Sequence, residues 1–415
     1  MARIVFRGAN LLDGASAARP GMSVVVEGLR IAQVAPDAAV AARPDDRVVA
    51  LEGRTLLPGL ASCHFHASFD NATLDLFPLG MDQPAGVLML RSAKNARLAL
   101  EAGFTTLVGA GGGDDIDAQL VMAIDQGIVP GPRLLPCSRN LGTTSGYIDL
   151  EPWWYRMGNV GACRMADGPD GMRQAVREEL KRGARVIKLF VTGGHGNLRQ
   201  STREFSREEL AAVVEAAHER GALVRAHAAW MPQILECVEL GVDVIDHGDE
   251  IDAQCIDAMA EAGTFFDPSV LYLEKLLAYE PLRQVPGFAP VREATERELE
   301  NLARQVPEAA KAGVKIVLGD DFGTVLLPHG TYSEELEAYV KKLGIPPLEV
   351  LRWATRNGAE LSGRGHDLGL VEAGRIADLV VVDGDPSVDM SVLCDPRRIL
   401  AVLKGGAFAK DALSA

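Results

Sequence analysis

Between residues 58 and 367 the chain repeats one unit, a short apolar strand followed by an amphipathic helix, and this repetition restricts the fold more than any other feature. The clearest copy begins at ARVIKLFV (184–191). After a loop, Ser206 and Glu209 form an S-x-x-E capping box, Leu210, Val213, Val214 and Ala217 share one helical face, and Gly221 ends the helix. The strand LVRAHA follows at once. Then come helix PQILECVEL, strand VDVIDHG, helix DAQCIDAMAEAG, strand TFFDPSV, a longer helical stretch to about Ala312, and strand KIVLGDD. Upstream, TLLPGLASCHFH, FTTLVGAG and PRLLPCSR read as the first three strands, which makes eight. Continuous apolar strands of this kind are parallel and covered on both faces. The pattern predicts an α/β fold, a (β/α)8 TIM barrel, whose functional residues sit at the carboxyl ends of the strands.

The 415 residues exceed the roughly 250 of such a barrel, and the two ends differ from the middle. IVFRGANLL, MSVVVEG and RIAQVAP at one end, and RIADLVVVDGDP and ILAVLKGGAFAK at the other, are strand-like runs broken by Gly and Pro. The expectation is a small β-sandwich domain composed of residues 1–57 and 368–415, beside a barrel of residues 58–367. A net charge of −15 argues against a nucleic-acid partner, which needs a basic face. The six cysteines are scattered without a C-x-x-C pair, so no zinc ribbon or disulfide framework is indicated, and free thiols suggest a reducing compartment. The N-terminal stretch lacks a signal-peptide pattern, and no window approaches the ~20 apolar residues of a membrane helix. A cytoplasmic location, a small-molecule substrate and no membrane partner follow.

The polar residues of the repeat gather where a barrel would place its site. His64 and His66 end the first strand, Lys188 lies in the fourth, His227 ends the fifth, His247 the sixth, and Asp320 and Asp321 the eighth. Residues i and i+2 of a strand point to one side, so His64 and His66 can grip one ion together. Each histidine alone has a structural reading, but a lysine within VIKLFV is costly to bury as an ammonium. Four histidines, a lysine and an aspartate at the inward ends of one set of strands resist a structural explanation.

These residues, in this order, resemble the binuclear subtype of the amidohydrolase superfamily. PGLASCHFH is similar to its PGLID-x-H-x-H element; the strand-4 lysine, strand-5 histidine, strand-6 H-G and strand-8 G-x-D match. GLVEAGRIADLVVVDGDP is similar to the family's C-terminal signature, and PHGTYSEEL and ATRNGAELSG also resemble it. Within the superfamily the chain looks most like the imidazolonepropionase-like and Xaa-Pro dipeptidase-like members. The resemblance implies two divalent metal ions, Zn2+ first and Mn2+, Fe2+ or Co2+ as alternatives. His64, His66 and Asp321 would hold the more buried ion and His227 and His247 the other. Lys188, carboxylated by CO2, would bridge both as a carbamate. A hydroxide shared by two metals can attack a polarised carbonyl, and Asp321 would take its proton and pass it to the leaving amine. The family register G-x-D selects Asp321 over Asp320, and strand alternation lets only one of the two face the metals. The resemblance also implies a homo-oligomer.

The chain departs from the family after strand 3, where TTSGY puts Tyr147 in place of a histidine that contacts the scissile group; a phenol can donate to a developing oxyanion. After strand 2, TLVGAGGG lacks the usual R-D pair. Trp153, Trp154 and Tyr155 form an aromatic loop that can wall an apolar substrate, and His195, in TGGHG at the mouth of the barrel, is a candidate substrate contact. His218 reads as a surface residue, His366 as part of a Gly-rich turn, and His329 has no assigned role. The expected reaction is hydrolysis of a C–N bond in an amide, small peptide or cyclic amide. Lactone, ester or carbamate hydrolysis by the same site is the alternative. Deamination is disfavoured because Ala-Ala-Trp follows His227, and a non-enzymatic scaffold is disfavoured because no ligand is missing.

Overall fold

A computed structural model describes residues 3–70, 72, 83–149, 153–154, 161–195 and 201–413. The eight segments read from the sequence form parallel strands paired in chain order. The first is Leu60–Phe65 and the second Phe104–Gly109. The third is broken at Pro136 into Arg133–Leu135 and Cys137–Gly142, because proline cannot donate to a ladder. The fourth to seventh are Val186–Phe190, Leu223–Ala228, Val244–His247 and Phe265–Asp267. The eighth keeps a regular ladder only over Lys315–Ile316, after which Cys63 N–H donates to Leu318 C=O at 2.6 Å and returns the pairing to the first strand.

Helices connect the strands where the periodicity predicts them. Arg207–His218 carries the expected capping box, with Glu209 N–H on Ser206 Oγ and Ser206 N–H on Glu209 Oε2, and it buries Leu210, Val213, Val214 and Ala217. Phe288–Ala312 precedes the eighth strand. Buried residues of strands and helices form one large apolar cluster that includes Phe65, Leu189, Ala226, Phe266 and Phe322.

Two further details differ from the sequence reading. TLLPGLASCHFH is not one strand: Thr55–Pro58 belongs to another sheet, and the chain crosses over at Gly59, where a Cβ would come within 2.0 Å of Thr105 Oγ1. Cys163–Met165 is an additional short parallel strand, paired with the end of the third. The chain's two ends share one mixed sheet. Ile4–Leu11 pairs with Arg19–Glu27, Arg47–Ala50 and Thr55–Pro58, and Thr55–Pro58 pairs with Leu379–Val382, which Ile399–Lys404 and Ala407–Asp411 extend. Its apolar face collects Phe6, Leu11, Val24, Val26, Leu56, Leu379, Val381 and Leu403.

Candidate metal centre

Four histidines converge on Asp321 at the carboxyl ends of the parallel strands. His64 Nε2 and His66 Nε2 stand 3.1 and 3.3 Å from Asp321 Oδ1. The ring centroids of His64 and His247 are 5.4 Å apart, and those of His227 and His247 4.4 Å. Ligand atoms of His64, His247 and Asp321 all lie within 4.8 Å of one another. Two backbone features create this convergence. Gly319 lets the eighth strand press against the first, since a Cβ there would be 2.2 Å from His64 N. His247 has φ 69°, an uncommon conformation for a residue other than glycine, which turns its ring inward although the adjacent Asp246 also faces inward.

The second nitrogen of each ring is engaged away from Asp321. His66 Nδ1 is 2.8 Å from Gly111 C=O, His227 Nε2 is 2.9 Å from Gly193 C=O, and His247 Nδ1 is 2.9 Å from Ser269 Oγ. Carbonyl acceptors fix the proton of His66 and His227 on those nitrogens and leave the opposite nitrogen with its lone pair, as a metal ligand requires. His64 Nδ1 faces Arg225 at 3.3 Å and Asp267 at 3.6 Å. Burial pushes His227 down to about 3, with Lys188 and His195 adding to the effect, and it also lowers His66 and His247. His64 goes the other way: burial and Lys188 would lower it, but Asp246 and Asp267 hold it up. Burial would raise Asp321, but the His64 and His66 rings against its Oδ1 hold it well below the usual carboxylate range. Three imidazoles biased toward the neutral form, with His64 beside them and an ionised carboxylate, are a donor set that a divalent transition metal accepts.

Lys188 is buried below this cluster, its Nζ 2.5 Å from Asp246 Oδ2. Asp320 turns the opposite way from Asp321: Oδ2 accepts from Tyr272 N–H at 2.9 Å and Oδ1 from Asp321 N–H at 2.8 Å. Burial, and then Asp321, push Asp320 up to about 7.

The candidate substrate residues divide. Tyr147 packs on Phe190 (6.3 Å between centroids), and Phe190 stacks on His227 at 4.4 Å, so Tyr147 joins the rim of the cluster. His195 is more deeply placed than its position in a loop implied. It stacks on His247 at 4.3 Å and its Nδ1 is 2.8 Å from the buried Asp249. Burial would lower its pKa, but Asp249 raises it to about 9. Trp153 and Trp154 are 91% and 71% exposed and pack edge to face on each other, with no described contact to the histidines; Tyr155 lies outside the described residues. His218 and His366 are exposed, and His329 hydrogen-bonds Tyr332 and Phe69 C=O.

Sequence reasoning passed over Arg225, Asp246, Asp249, Asp267, Ser269 and Tyr272. Arg225 was signalled by its position two residues before His227, on the same side of the strand. Asp249, Asp267 and Ser269 reach the cluster through tertiary packing and carry no local signal.

Imidazoles grouped around a carboxylate at the carboxyl ends of parallel strands define a class, the hydrolases that work through bound metal. The chain belongs to the amidohydrolase family, which it matches over residues 55–408. It is 28% identical over 379 residues to ochratoxinase of Aspergillus niger, covering 86% of this chain and 75% of that protein. It is 27% identical over 387 residues to imidazolonepropionase of Micrococcus luteus, covering 89% of each. The crystal structure of a prolidase complexed with N-methylphosphonate-L-proline superposes with a TM-score of 0.88 at 31% identity, over 99% of this chain and 100% of that one. The protein is therefore an amidohydrolase enzyme. No helix among the described residues is long and apolar enough to cross a membrane.

Proposed function

We propose that the protein hydrolyses a C–N bond in an amide, small peptide or cyclic amide, using two divalent metal ions held by His64, His66, Lys188, His227, His247 and Asp321. The observation that carries this reading is the engagement of the second ring nitrogen of His66, His227 and His247 by another group, which leaves their opposite nitrogens turned toward the space beside Asp321. Zn2+ suits this donor set, and Lys188 would join it as a carbamate. When bound, the metals supply a Lewis acid for the carbonyl and lower the pKa of water. The chain's own groups do the rest. Asp321 moves the proton from water to the leaving amine. Tyr147 donates its phenol hydrogen to the carbonyl oxygen as charge builds there. His195 contacts the substrate through Nε2, which has no hydrogen-bond partner among the described residues. In the same proposal the circuit of strand pairings is a (β/α)8 barrel, residues 1–57 with 368–415 form a β-sandwich beside it, and the protein assembles as a homo-oligomer.

The similarity to a prolidase and to ochratoxinase favours amide substrates over lactones, esters and carbamates. The test loads the purified protein with Zn2+ or Mn2+ and screens dipeptides, N-acyl amino acids, cyclic amides, lactones and carbamates. Turnover is expected among the amides, with about two metals per chain. Turnover of lactones or carbamates alone, or none that depends on metal, overturns the proposal.

A further inference from the structure

Arg225 is fully buried on the fifth strand, two residues before His227. Its Nε donates to Asp246 Oδ2 at 3.0 Å, and its Nη2 to Asp246 Oδ1 at 2.5 Å and to Asp267 Oδ2 at 3.1 Å. Its Nη1 donates to the carbonyls of Gly109 (3.0 Å) and Cys63 (2.5 Å). One side chain thus ties the first, second, sixth and seventh strands together beneath the histidines. Buried ion pairs are commonly no more stabilising than apolar packing of the same volume, so stability alone does not account for a guanidinium here.

Asp246 has a second cation, the Lys188 ammonium at 2.5 Å. The proposed function, on which this inference rests, turns that ammonium into an anion. With Lys188 as its only partner, Asp246 would then be a buried carboxylate with no countercharge, next to a new negative group. Arg225 removes the difficulty. Its charge is permanent, and its planar fork spans two carboxylates, which an ammonium on a flexible stem cannot do. Among the described residues it is the only guanidinium or ammonium paired with Asp267, which also flanks His64 Nδ1 at 3.6 Å. We propose that Arg225 is a positioning residue of the metal centre: as the fixed countercharge of Asp246 and Asp267 it frees Lys188 to serve the metals and holds Asp267 beside the His64 ring.

The experiment compares wild type with Arg225→Met, Asp246→Asn and the double variant Arg225→Met/Asp246→Asn. Each is reconstituted with Zn2+ and 13C-bicarbonate, and folding is checked by circular dichroism. Metals per chain, metal affinity by chelator competition, and the carbamate carbon in the 13C NMR spectrum are the readouts. Arg225→Met is expected to bind metal at least ~10-fold more weakly, the usual scale for loss of a group that orients a ligand, and to lose the carbamate signal because Asp246 retains Lys188. The double variant should recover the carbamate signal, since no carboxylate at 246 remains to retain Lys188, while its metal affinity stays lowered because Asp267 still lacks its partner. Asp246→Asn alone should keep both metals and the carbamate, and it decides the matter if Arg225→Met does not fold. Wild-type metal and carbamate in Arg225→Met, no recovery of the carbamate in the double variant, or loss of carbamate in Asp246→Asn each overturns the role of Arg225. A wild type with two metals and no carbamate overturns the reading of Lys188 and this inference with it.

Discussion

Exchanging the carboxylates of Asp320 and Asp321 for amides, one at a time, should separate two adjacent residues that differ only in direction. Asp321 faces His64 and His66 at 3.1 and 3.3 Å, so Asp321→Asn removes the carboxylate proposed both as a metal ligand and as the carrier of the proton. General acid–base help alone is worth about 10²–10⁴ in rate, and the weaker amide ligand adds loss of metal, so kcat/KM should fall at least that far. Asp320 offers both oxygens to backbone N–H donors, of Tyr272 and Asp321. An asparagine can satisfy one of them and must turn its own N–H2 toward the other, a mismatch costing about 1–3 kcal/mol of stability. Burial, and then Asp321, push Asp320 up to about 7, so the amide removes only about half a charge at pH 7. Asp320→Asn should therefore melt several degrees lower yet keep its metals and stay within about tenfold of wild-type kcat/KM, far from the loss at the general acid–base position. Steady-state kinetics on an amide substrate, metal analysis and thermal melts of both variants decide it. An inactive, metal-poor Asp320→Asn beside an active Asp321→Asn would refute the assignment and shift the register by one residue.

Three further outcomes follow from the same geometry. Ser269→Ala removes the oxygen 2.9 Å from His247 Nδ1 and should weaken metal binding about 10–100-fold by chelator competition, with little change in the melting of metal-free protein. Glu179→Ala strands the buried Arg139, whose Nε and Nη2 both donate to Glu179 Oε1; denaturant unfolding should show a loss of about 3–5 kcal/mol, and a loss below about 1 kcal/mol would contradict it. The His195 pKa rises from 6.5 in the unfolded chain to about 9 on folding, through Asp249 and against burial, so the pair's contribution is complete below pH ~6.5 and disappears as pH climbs through 9. In metal-free protein the melting-temperature gap between wild type and His195→Gln should thus close between pH 6.5 and 9.5, and parallel profiles would contradict this.

Legibility in the sequence tracked the range of the interactions. His64 and His66 announce themselves by two-residue spacing at the end of one strand, and the capping box at Ser206 by three-residue spacing at the start of one helix; both motifs are local, the two rings do meet at Asp321, and the capping box forms. The choice of Asp321 over Asp320 came from the G-x-D register and alternation, and the two side chains do diverge. The split of TLLPGLASCHFH was readable in principle from Pro58-Gly59, but the contact that demands Gly59 is with Thr105 on a neighbouring strand. His195 was placed at a loop mouth because its partner Asp249 is 54 residues away. Arg225 was treated as one more letter of an apolar strand, since the carboxylates that justify its charge arrive from two other strands. Exposure of Trp153 and Trp154 could not be read from composition, because the same aromatic surface can pack within its own loop or wall a site.

The sheet shared by the chain's two ends has a consequence for how the protein is made. Thr55–Pro58 leaves a ribosome early, but the strand that flanks it, Leu379–Val382, follows only roughly 320 residues later. At about 5–20 residues per second, that edge waits on the order of 15–60 s for its partner. During this interval Thr-Leu-Leu-Pro is an open strand able to pair with another nascent chain. Pro58, unable to donate, leaves one position of that edge without an N–H to offer. Synonymous codon changes that slow translation between residues 60 and 378 would lengthen the exposure without altering a single contact of the finished molecule.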